Sequence, residues 1–457
     1  FLMVESEVFF EPYHRVLKVM QESMDDLPMK KYIVDVQVNI VTKRHYSFNK
    51  LNILKFAYKL ALTREFAVIQ GPPGTGKTFI GVKIASTLLK NLSLEGTPML
   101  IICYTNHALD QFLEGILNVT DNIVRLGSQS KNKTLEQYTL NSMRTRIKCR
   151  YSYLYSNKRR ELEKIFNEMT EVQKHIRNVT DLYSLKPELR WRVYHNAVAD
   201  IKNELMAKIN ALLVSVTTTT AARRHDLLKR LMSPIVIVEE AAEVLEAHIV
   251  ASLTNRCQHL ILIGDHKQLK PSAAHFKLAK DYNLEISLFE RMIRNGIHAR
   301  TLTTQRRMRQ NFVDLIVPVI YETLDSHPSV FQYEDVRGMR DNLWFYNHDV
   351  FEDSEVSELI TFCHIRAKKK VMSFSYMDEL LSKKYDSLRD VKITVVDNYQ
   401  GEENRIVILS LVRSNKDNKI GFLSAENRIC VALSRAKEGK GFLLIVLLSK
   451  YLFQSGS

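Results

Sequence analysis

The sequence predicts an α/β fold: two parallel-sheet domains in tandem, a helical insertion in the first, and a small N-terminal accessory region. Three observations carry this. Four continuous apolar runs, Phe66–Gln70, Met99–Cys103, Ile235–Val238 and Leu260–Ile263, each end in turn or polar residues, the pattern of parallel strands buried on both faces. Helical patterns such as Phe79–Leu89 and Ala108–Leu117 fall between them, and strand–helix alternation gives a doubly wound sheet. A second set of runs, Leu343–Tyr346, Val391–Val396, Ile406–Leu411 and Phe442–Leu447, predicts another α/β domain.

In chain order, residues 1–50 form the accessory region, with a helix expected at Tyr13–Gln21 and a strand-like stretch at Tyr32–Val41. Residues 51–127 and 206–296 make the first domain. Between them, 128–205 break the rhythm as long, charged, nearly Gly-free helices, Arg159–Val179 above all, ending before Lys186-Pro187. Residues 297–457 make the second domain. No repeat of 20–50 residues is visible, which argues against a solenoid.

Composition narrows the function classes. The 457 residues leave room for about three domains, and 45% hydrophobic with 25% charged residues argues against wholesale disorder. No apolar run approaches the ~18 residues of a membrane span. Five scattered cysteines without a Cys-x-x-Cys pair argue against a disulfide framework or zinc site in this stretch and fit a reducing, cytoplasmic setting. The chain opens on Phe1, which predicts a fragment of a longer protein. A net charge of +14 points to a polyanionic partner. Residues 131–205 hold sixteen Lys/Arg against nine Asp/Glu, with Lys158-Arg159-Arg160 the densest cluster, so a basic surface is expected there.

Chemistry begins at Gly71-Pro72-Pro73-Gly74-Thr75-Gly76-Lys77-Thr78, which fits the phosphate-binding pattern G-x-x-x-x-G-K-[ST]. Its glycines let backbone N–H groups turn around phosphates. Lys77 is placed to reach the β and γ phosphates, and the Thr78 hydroxyl to hold Mg2+. A buried strand precedes the loop and an amphipathic helix follows, offering its N-terminus to anions. ATP and Mg2+ are the cofactors this implies.

Such a site needs a carboxylate for the metal and a group to orient the attacking water. The run at 235–238 delivers Glu239-Glu240-Ala241-Ala242 to the carboxyl end of a strand, where ligands bind in these sheets. Glu239 is assigned to the metal and Glu240 to water activation. The run at 260–263 leads to Gly264-Asp265-His266-Lys267-Gln268, and Gln268 is placed to sense the γ phosphate.

With these motifs in place the chain resembles superfamily 1 helicases, in the group of the nonsense-mediated-decay helicase and senataxin, and its NFX-type branch in particular. Tyr104-Thr105-Asn106-His107-Ala108-Leu109-Asp110-Gln111 and Thr217–Ala222 resemble nucleic-acid-contacting motifs. Gln305-Arg306-Arg307-Met308, the block Val396–Asn404 and Val431-Ala432-Leu433-Ser434-Arg435-Ala436-Lys437 resemble those of the second domain. The resemblance implies two RecA-like domains with ATP between them, arginine fingers at Arg307 and Arg435, and nucleotide contacts at Gly401 and Glu403. It also implies a single strand crossing both domains at Thr105, Asn106, Thr218, Thr219 and Tyr376.

The activity so implied is ATP-dependent translocation or unwinding, on RNA with 5′-to-3′ polarity, in antiviral or RNA-silencing complexes and ribonucleoprotein granules; DNA is the alternative strand. Thr217–Thr220 also reads as a plain β-branched strand, and the basic insertion as a solvated helical face. A nucleotide-gated RNA clamp with little turnover and a protein-recruiting scaffold are the rival functions. Several positions depart from the family's pattern. No Gln stands near Leu51–Lys55 for adenine, Arg306 replaces Tyr or His, Glu239 replaces Asp, Arg405 stands where Asp is expected, and the stretch from Arg307 to Asp397 is short.

Overall fold

The computed structural model describes residues 11–22, 27–37, 54–91, 97–127, 132–146, 211–272, 281–338, 340–348, 394–410 and 424–445, with isolated positions at 130, 160, 164, 167 and 279. In chain order the elements that frame the sheets, with further short helices between them, are α1 (Glu11–Glu22), α2 (Lys30–Ile33), α3 (Leu54–Thr63), β1 (Phe66–Gln70), α4 (Lys77–Asn91), β2 (Met99–Cys103), α5 (Asn106–Leu117) and β3 (Ile123–Arg125). Next come β4 (Leu213–Thr217), α6 (Thr218–Arg223), β5 (Ile235–Glu239), α7 (Glu246–Val250), β6 (His259–Gly264), α8 (Leu288–Arg294) and β7 (Arg300–Thr301). The second domain supplies β8 (Thr304–Gln305), α9 (Gln310–Val313), β9 (Asp325–Ser326), β10 (Leu343–His348), β11 (Asn404–Ser410), α10 (Glu426–Leu433) and β12 (Ala436–Ile445).

The first domain is a parallel sheet of seven strands in the order β3-β4-β2-β5-β6-β1-β7. Its central strands β1, β2, β5 and β6 are apolar along most of their length because both faces are covered. Successive side chains point to opposite faces, so Phe66, Val68, Leu100 and Ile102 enter one core while Ala67, Ile69, Ile101 and Cys103 enter the other. On the second face α5 presents Leu109, Phe112, Leu113 and Ile116, all fully buried, at the spacing of one helical stripe. Burying a ring such as Phe112 contributes about 1.5–3 kcal/mol. The crossovers leave the ends of β1, β2, β5 and β6 side by side at one edge, and every chemical motif of the first domain sits there.

The second domain has a three-stranded parallel sheet, β10-β12-β11, among the described residues. Its core gathers Met308, Phe312, Ile316, Tyr321 and Cys430. The two-domain α/β expectation holds, with four differences in detail. β7 pairs with β1 at Ile69–Arg300 and Gln70–Thr301, so the first sheet continues beyond the expected boundary at 296. Tyr32–Val41 does not start as a strand: Met29 adopts a left-handed conformation and opens α2, which buries Tyr32 against Phe66 with ring centroids 5.6 Å apart. Residues beyond Gln37 in that stretch lie outside the described residues. Thr217 ends β4, and Thr218–Thr220 turn into α6 rather than extending the strand. Of Val391–Val396, positions 391–393 lie outside the described residues, and Val396 opens a short 3-10 turn through Tyr399.

The expected insertion helix Arg159–Val179 lies, apart from isolated positions, outside the described residues. The accessory helix α1 forms as expected. Val16 and Val19 pack on Ala222 and Ala251 of the first domain, and Arg291 ties the region down by donating to the Ile33 carbonyl at 2.8 Å while pairing with Glu246. No helix of the described residues is long and apolar enough to cross a membrane.

Candidate active site at the domain seam

The loop after β1 makes the turn that its glycines allow. Gly74 and Gly76 have φ of +73° and +86°, a region that costs any other residue roughly 1–2 kcal/mol. Pro72 and Thr75 close the turn, Thr75 donating from both N and Oγ1 to the Pro72 carbonyl. Gly71 donates to Gly264 O at 2.9 Å, which seats the loop against the end of β6. Lys77 folds back over the loop and donates to Gly71 O at 3.0 Å, with Glu240 Oε1 3.9 Å away.

The metal candidates meet as expected. Thr78 Oγ1 donates to Glu239 Oε1, and Cys103 Sγ approaches Glu239 Oε2 at 3.8 Å. The Thr hydroxyl comes from the first turn of α4 and the carboxylate from the end of β5, beside Cys103 at the end of β2. Burial pushes the Glu239 carboxyl up to about 8, with the Glu240 charge adding and Thr78 opposing. A buried carboxylate with too little positive charge, beside a hydroxyl and a phosphate-type loop, suits a hard divalent cation such as Mg2+. Glu240 takes a left-handed conformation, φ 51°, and stays partly open to the cleft. That places a titratable oxygen beside Lys77 where water could reach it.

The second domain closes the other side. Its loop 305–308 lies on the P-loop: Arg306 N donates to Gly74 O at 2.9 Å. A Cβ on Gly74 would sit 2.7 Å from the Arg307 Cβ. Gln305 shapes this loop, its Oε1 accepting from the backbone N of Arg307 and Met308 at 2.7 Å each. Arg307 pairs with Glu403 and donates to Ser434 O at 3.3 Å. Lys437 takes the other oxygen of Glu403 at 2.5 Å. Burial works against the Glu403 charge, but Arg307 and Lys437 outweigh it and hold its carboxyl below the usual range. The Arg306 side chain is exposed.

Arg435 is 2% exposed and crosses the seam. Its Nη2 donates to Gln268 Oε1 at 3.2 Å and to Ser434 Oγ at 2.7 Å, Nη1 to Glu402 O at 3.2 Å and Nε to Val431 O at 3.0 Å. Burial, with Arg307 nearby, brings its guanidinium down to about 10, still charged at neutral pH. Gln268 donates in turn to Asp265 Oδ2 at 2.7 Å. Thus Lys77, Glu240, Gln268, Arg307 and Arg435, assigned from sequence, converge on one cleft. Gly401 has φ +82° in the turn that brings Glu403 to it.

Sequence reasoning missed the latch beside this cleft. Gln400 donates to Glu243 Oε2 at 2.9 Å and accepts from Leu269 N at 3.0 Å. Asn427 donates to His266 O at 2.9 Å and also to Gln268 O. Burial, then the Glu240 and Asp397 charges, push the Glu243 carboxyl up to about 8. The sequence signal was available, since Gln400 stands inside the recognised block Val396–Asn404, but no local pattern says what a Gln will face.

The strand-contact candidates divide. Thr105 is exposed, and its Oγ1 accepts from Ala108 N at 3.2 Å, capping α5. Thr219 is exposed at the start of α6. Two others sit differently from what a fully open strand contact needs. The Asn106 amide turns inward, its Oδ1 accepting from Arg125 Nη2 at 2.9 Å. The Thr218 side chain is 1% exposed and its hydroxyl has no partner among the described residues. The Thr218 side chain is thus closed off in this arrangement, whereas Asn106 stays partly exposed with its amide oxygen engaged. Tyr376 lies outside the described residues. Arg125, which the sequence reading passed over, is fully buried and pairs with Asp110 Oδ1 at 2.8 Å.

Comparison with known proteins fits this geometry. Two family models, each described as an AAA domain, match residues 50–274 and 371–447. Human NFX1-type zinc finger-containing protein 1 is 28% identical over 96% of this chain and 38% of that protein. The helicase required for RNAi-mediated heterochromatin assembly 1 from Schizosaccharomyces pombe is 25% identical over 96% of this chain and 64% of its own length. DNA-binding protein SMUBP-2 from Mesocricetus auratus is 28% identical over 84% and 41%. The chain therefore spans less than two thirds of each of these relatives. The human alignment runs over 727 positions, so that protein carries long insertions between segments joined directly here. The two domain models cover about two thirds of the sequence, and with the P-loop, the Glu pair and the two second-domain arginines meeting at one seam, the chain belongs to the AAA-domain superfamily 1 helicases.

Proposed function

We propose that this chain hydrolyses ATP at the seam of its two domains and uses the cycle to move along, or unwind, a single-stranded nucleic acid, RNA in the 5′-to-3′ direction. The observation that carries the reading is Arg435. This buried second-domain cation is bonded to the first domain's Gln268, at a seam where the 305–308 loop touches the P-loop. That supports a role against the charge that a bound triphosphate develops, and an arginine in that role is typically worth about 10³–10⁵ in rate.

The residues have distinct tasks. The backbone N–H groups of the Gly71–Thr78 loop cradle phosphate oxygens. Lys77 exchanges its bond to Gly71 O for a phosphate, which frees Glu240 to hold a water and accept its proton. Thr78 and Glu239 would hold Mg2+, whose charge offsets that of the phosphates. Arg307 gives up Glu403 for the γ phosphate, and Lys437 keeps that carboxylate paired. Arg435 turns from Gln268 to the same phosphate. When the phosphate leaves, these contacts revert and the grip between the domains changes. Alternate grip and release on a strand gives stepping.

The strand itself would lie across the ends of β2 and β4, where exposed Thr105 and Thr219 offer hydroxyls for sequence-blind phosphate and sugar contacts. The net charge of +14 supports a polyanion. A cytoplasmic setting and partners in RNA-regulatory complexes belong to the same proposal.

The latch favours a second reading. Gln400 and Asn427 already join the domains, which suits a nucleotide-gated clamp that turns over slowly. ATP turnover with and without single-stranded RNA and DNA homopolymers separates the two. Stimulation of tenfold or more by RNA, lost in Lys77→Ala, supports the translocase. Nucleotide-dependent RNA affinity without turnover supports the clamp, and indifference of RNA binding to nucleotide contradicts both.

A further inference from the structure

Tyr321 stands outside every motif considered so far. Its ring lies in the second-domain core with Met308, Phe312 and Ile316, yet its hydroxyl leaves that core. It donates to Asp265 Oδ2 of the first domain at 2.5 Å, with Cys430 Sγ 3.2 Å away. A hydroxyl carried into an apolar core is costly unless bonded, and a phenylalanine would fill the same space without that cost. The bond to Asp265 is therefore what distinguishes tyrosine here.

Asp265 is 1% exposed and is saturated with donors. Oδ1 accepts from Lys267 N at 3.2 Å and Gln70 Nε2 at 3.4 Å. Oδ2 accepts from Tyr321 and from Gln268 Nε2 at 2.7 Å. Asp265 can only accept, so it holds the nitrogen end of the Gln268 amide, and the oxygen end turns to Arg435. The hydrogen bonds run Tyr321–Asp265–Gln268–Arg435, leaving the second domain and returning to it. Burial and the Asp265 charge hold the Tyr321 phenol well above 10, so it remains a donor at any working pH.

We propose that Tyr321 is a positioning residue: through Asp265 it sets which end of the Gln268 amide faces Arg435, and so makes hydrolysis depend on how the second domain is seated on the first. This rests on the ATPase reading above. Tyr321→Phe keeps the ring and removes the donor. The nucleic-acid-stimulated kcat should fall about tenfold while KM for ATP stays within about twofold, because the P-loop contacts are untouched. In a Gln268→Ala background the same change should have no further effect, since the amide it orients is gone. A role in packing alone would make the two losses multiply.

A second measurement needs no turnover. Amide hydrogen exchange across residues 265–269 should speed up at least about threefold in Tyr321→Phe and stay unchanged in Cys430→Ala, which removes the hydroxyl's other neighbour. If the wild-type protein does not hydrolyse ATP, the ATPase reading fails and the exchange arm still decides whether Tyr321 holds this turn. Unchanged exchange, or multiplicative losses with Gln268→Ala, would overturn the proposal.

Discussion

Arg435 and Gln268 meet across the domain boundary, Nη2 to Oε1 at 3.2 Å, although 166 residues separate them in the chain. The guanidinium is almost fully buried, and a buried cation is stable only where its hydrogen bonds are met. All of its acceptors apart from Gln268 lie on the second domain. One of its bonds can thus be exchanged for a phosphate oxygen while the other three hold the side chain in place.

The P-loop lysine and the second glutamate should separate binding from chemistry. Lys77→Ala should weaken ATP binding at least about tenfold, because the lysine supplies the side-chain cation of the loop. Glu240→Gln should bind ATP normally and lose about 10²–10⁴ in turnover, the usual worth of a positioned base. Calorimetry for binding and phosphate release for turnover check the two. Equal losses of binding in both variants would remove Glu240 from the chemistry.

Gly74 is doubly constrained. Its φ is +73°, and an added Cβ would lie 2.7 Å from the Arg307 Cβ. Gly74→Ala should therefore cost about 1–2 kcal/mol from the backbone alone, with a further loss as the 305–308 loop is pushed off the P-loop. Urea unfolding and ATP affinity should both register it. Gly338 has φ +84° with open space around its Cβ position, so Gly338→Ala serves as the control that carries only the backbone cost.

Glu243 makes the seam sensitive to pH. Its carboxyl holds a proton up to about 8 when folded, while the unfolded chain releases it near the usual value of about 4.3. The unfolded state therefore binds fewer protons between these values, and stability falls as pH rises through that window. Glu243→Gln keeps an acceptor for Gln400 and removes the titration. The thermal midpoint of the variant relative to wild type should rise steadily from pH 5 to pH 8. A constant difference would show that Glu243 is ionised in the folded protein throughout.

Arg125 is a structural counterpart to the cleft. It is fully buried, bonded to Asp110 and to the Asn106 amide, and Asp110 also takes Ser130 Oγ at 2.8 Å. Arg125→Met should cost about 3–5 kcal/mol, because it leaves the Asp110 carboxylate without its partner. Denaturant unfolding of Arg125→Met against an Arg125→Met/Asp110→Leu double variant tests this, since removing both charges should restore much of the loss. A cost below about 1 kcal/mol would mean that water reaches the pair.

These cases show where the sequence was informative. Phe66–Gln70, Met99–Cys103 and the runs at 235–238 and 260–263 were legible because a strand covered on both faces has no polar position to break its pattern. The P-loop was legible because its glycines, lysine and threonine stand at a fixed spacing, the Glu239-Glu240 pair because it ends a buried apolar run, and the two arginines only through the resemblance of the motifs that hold them. Tyr32 was misread because an aromatic among Ile and Val suits a strand and a short buried helix equally, and the left-handed turn at Met29 leaves no trace in residue type. Asn106 and Thr218 were assigned to the strand path by motif. Which way a side chain turns at a helix start depends on its tertiary neighbours, here the distant Arg125. Arg125 itself sits in Ile123-Val124-Arg125-Leu126, where a cation in an apolar run signals either a solvated edge or a buried pair. Tyr321, Gln400 and Asn427 act between domains, a relation that local pattern does not encode.

Single-turnover hydrolysis by Arg435→Ala, at saturating ATP with single-stranded RNA present, tests the seam most directly. With the nucleotide gripped from both domains, Arg435→Ala should still bind ATP, through Lys77 and the loop, but cleave it about 10³-fold or more slowly than wild type. Cleavage at the wild-type rate would mean that the second domain contributes no charge to the reaction, and the account of two lobes working on one triphosphate would be wrong.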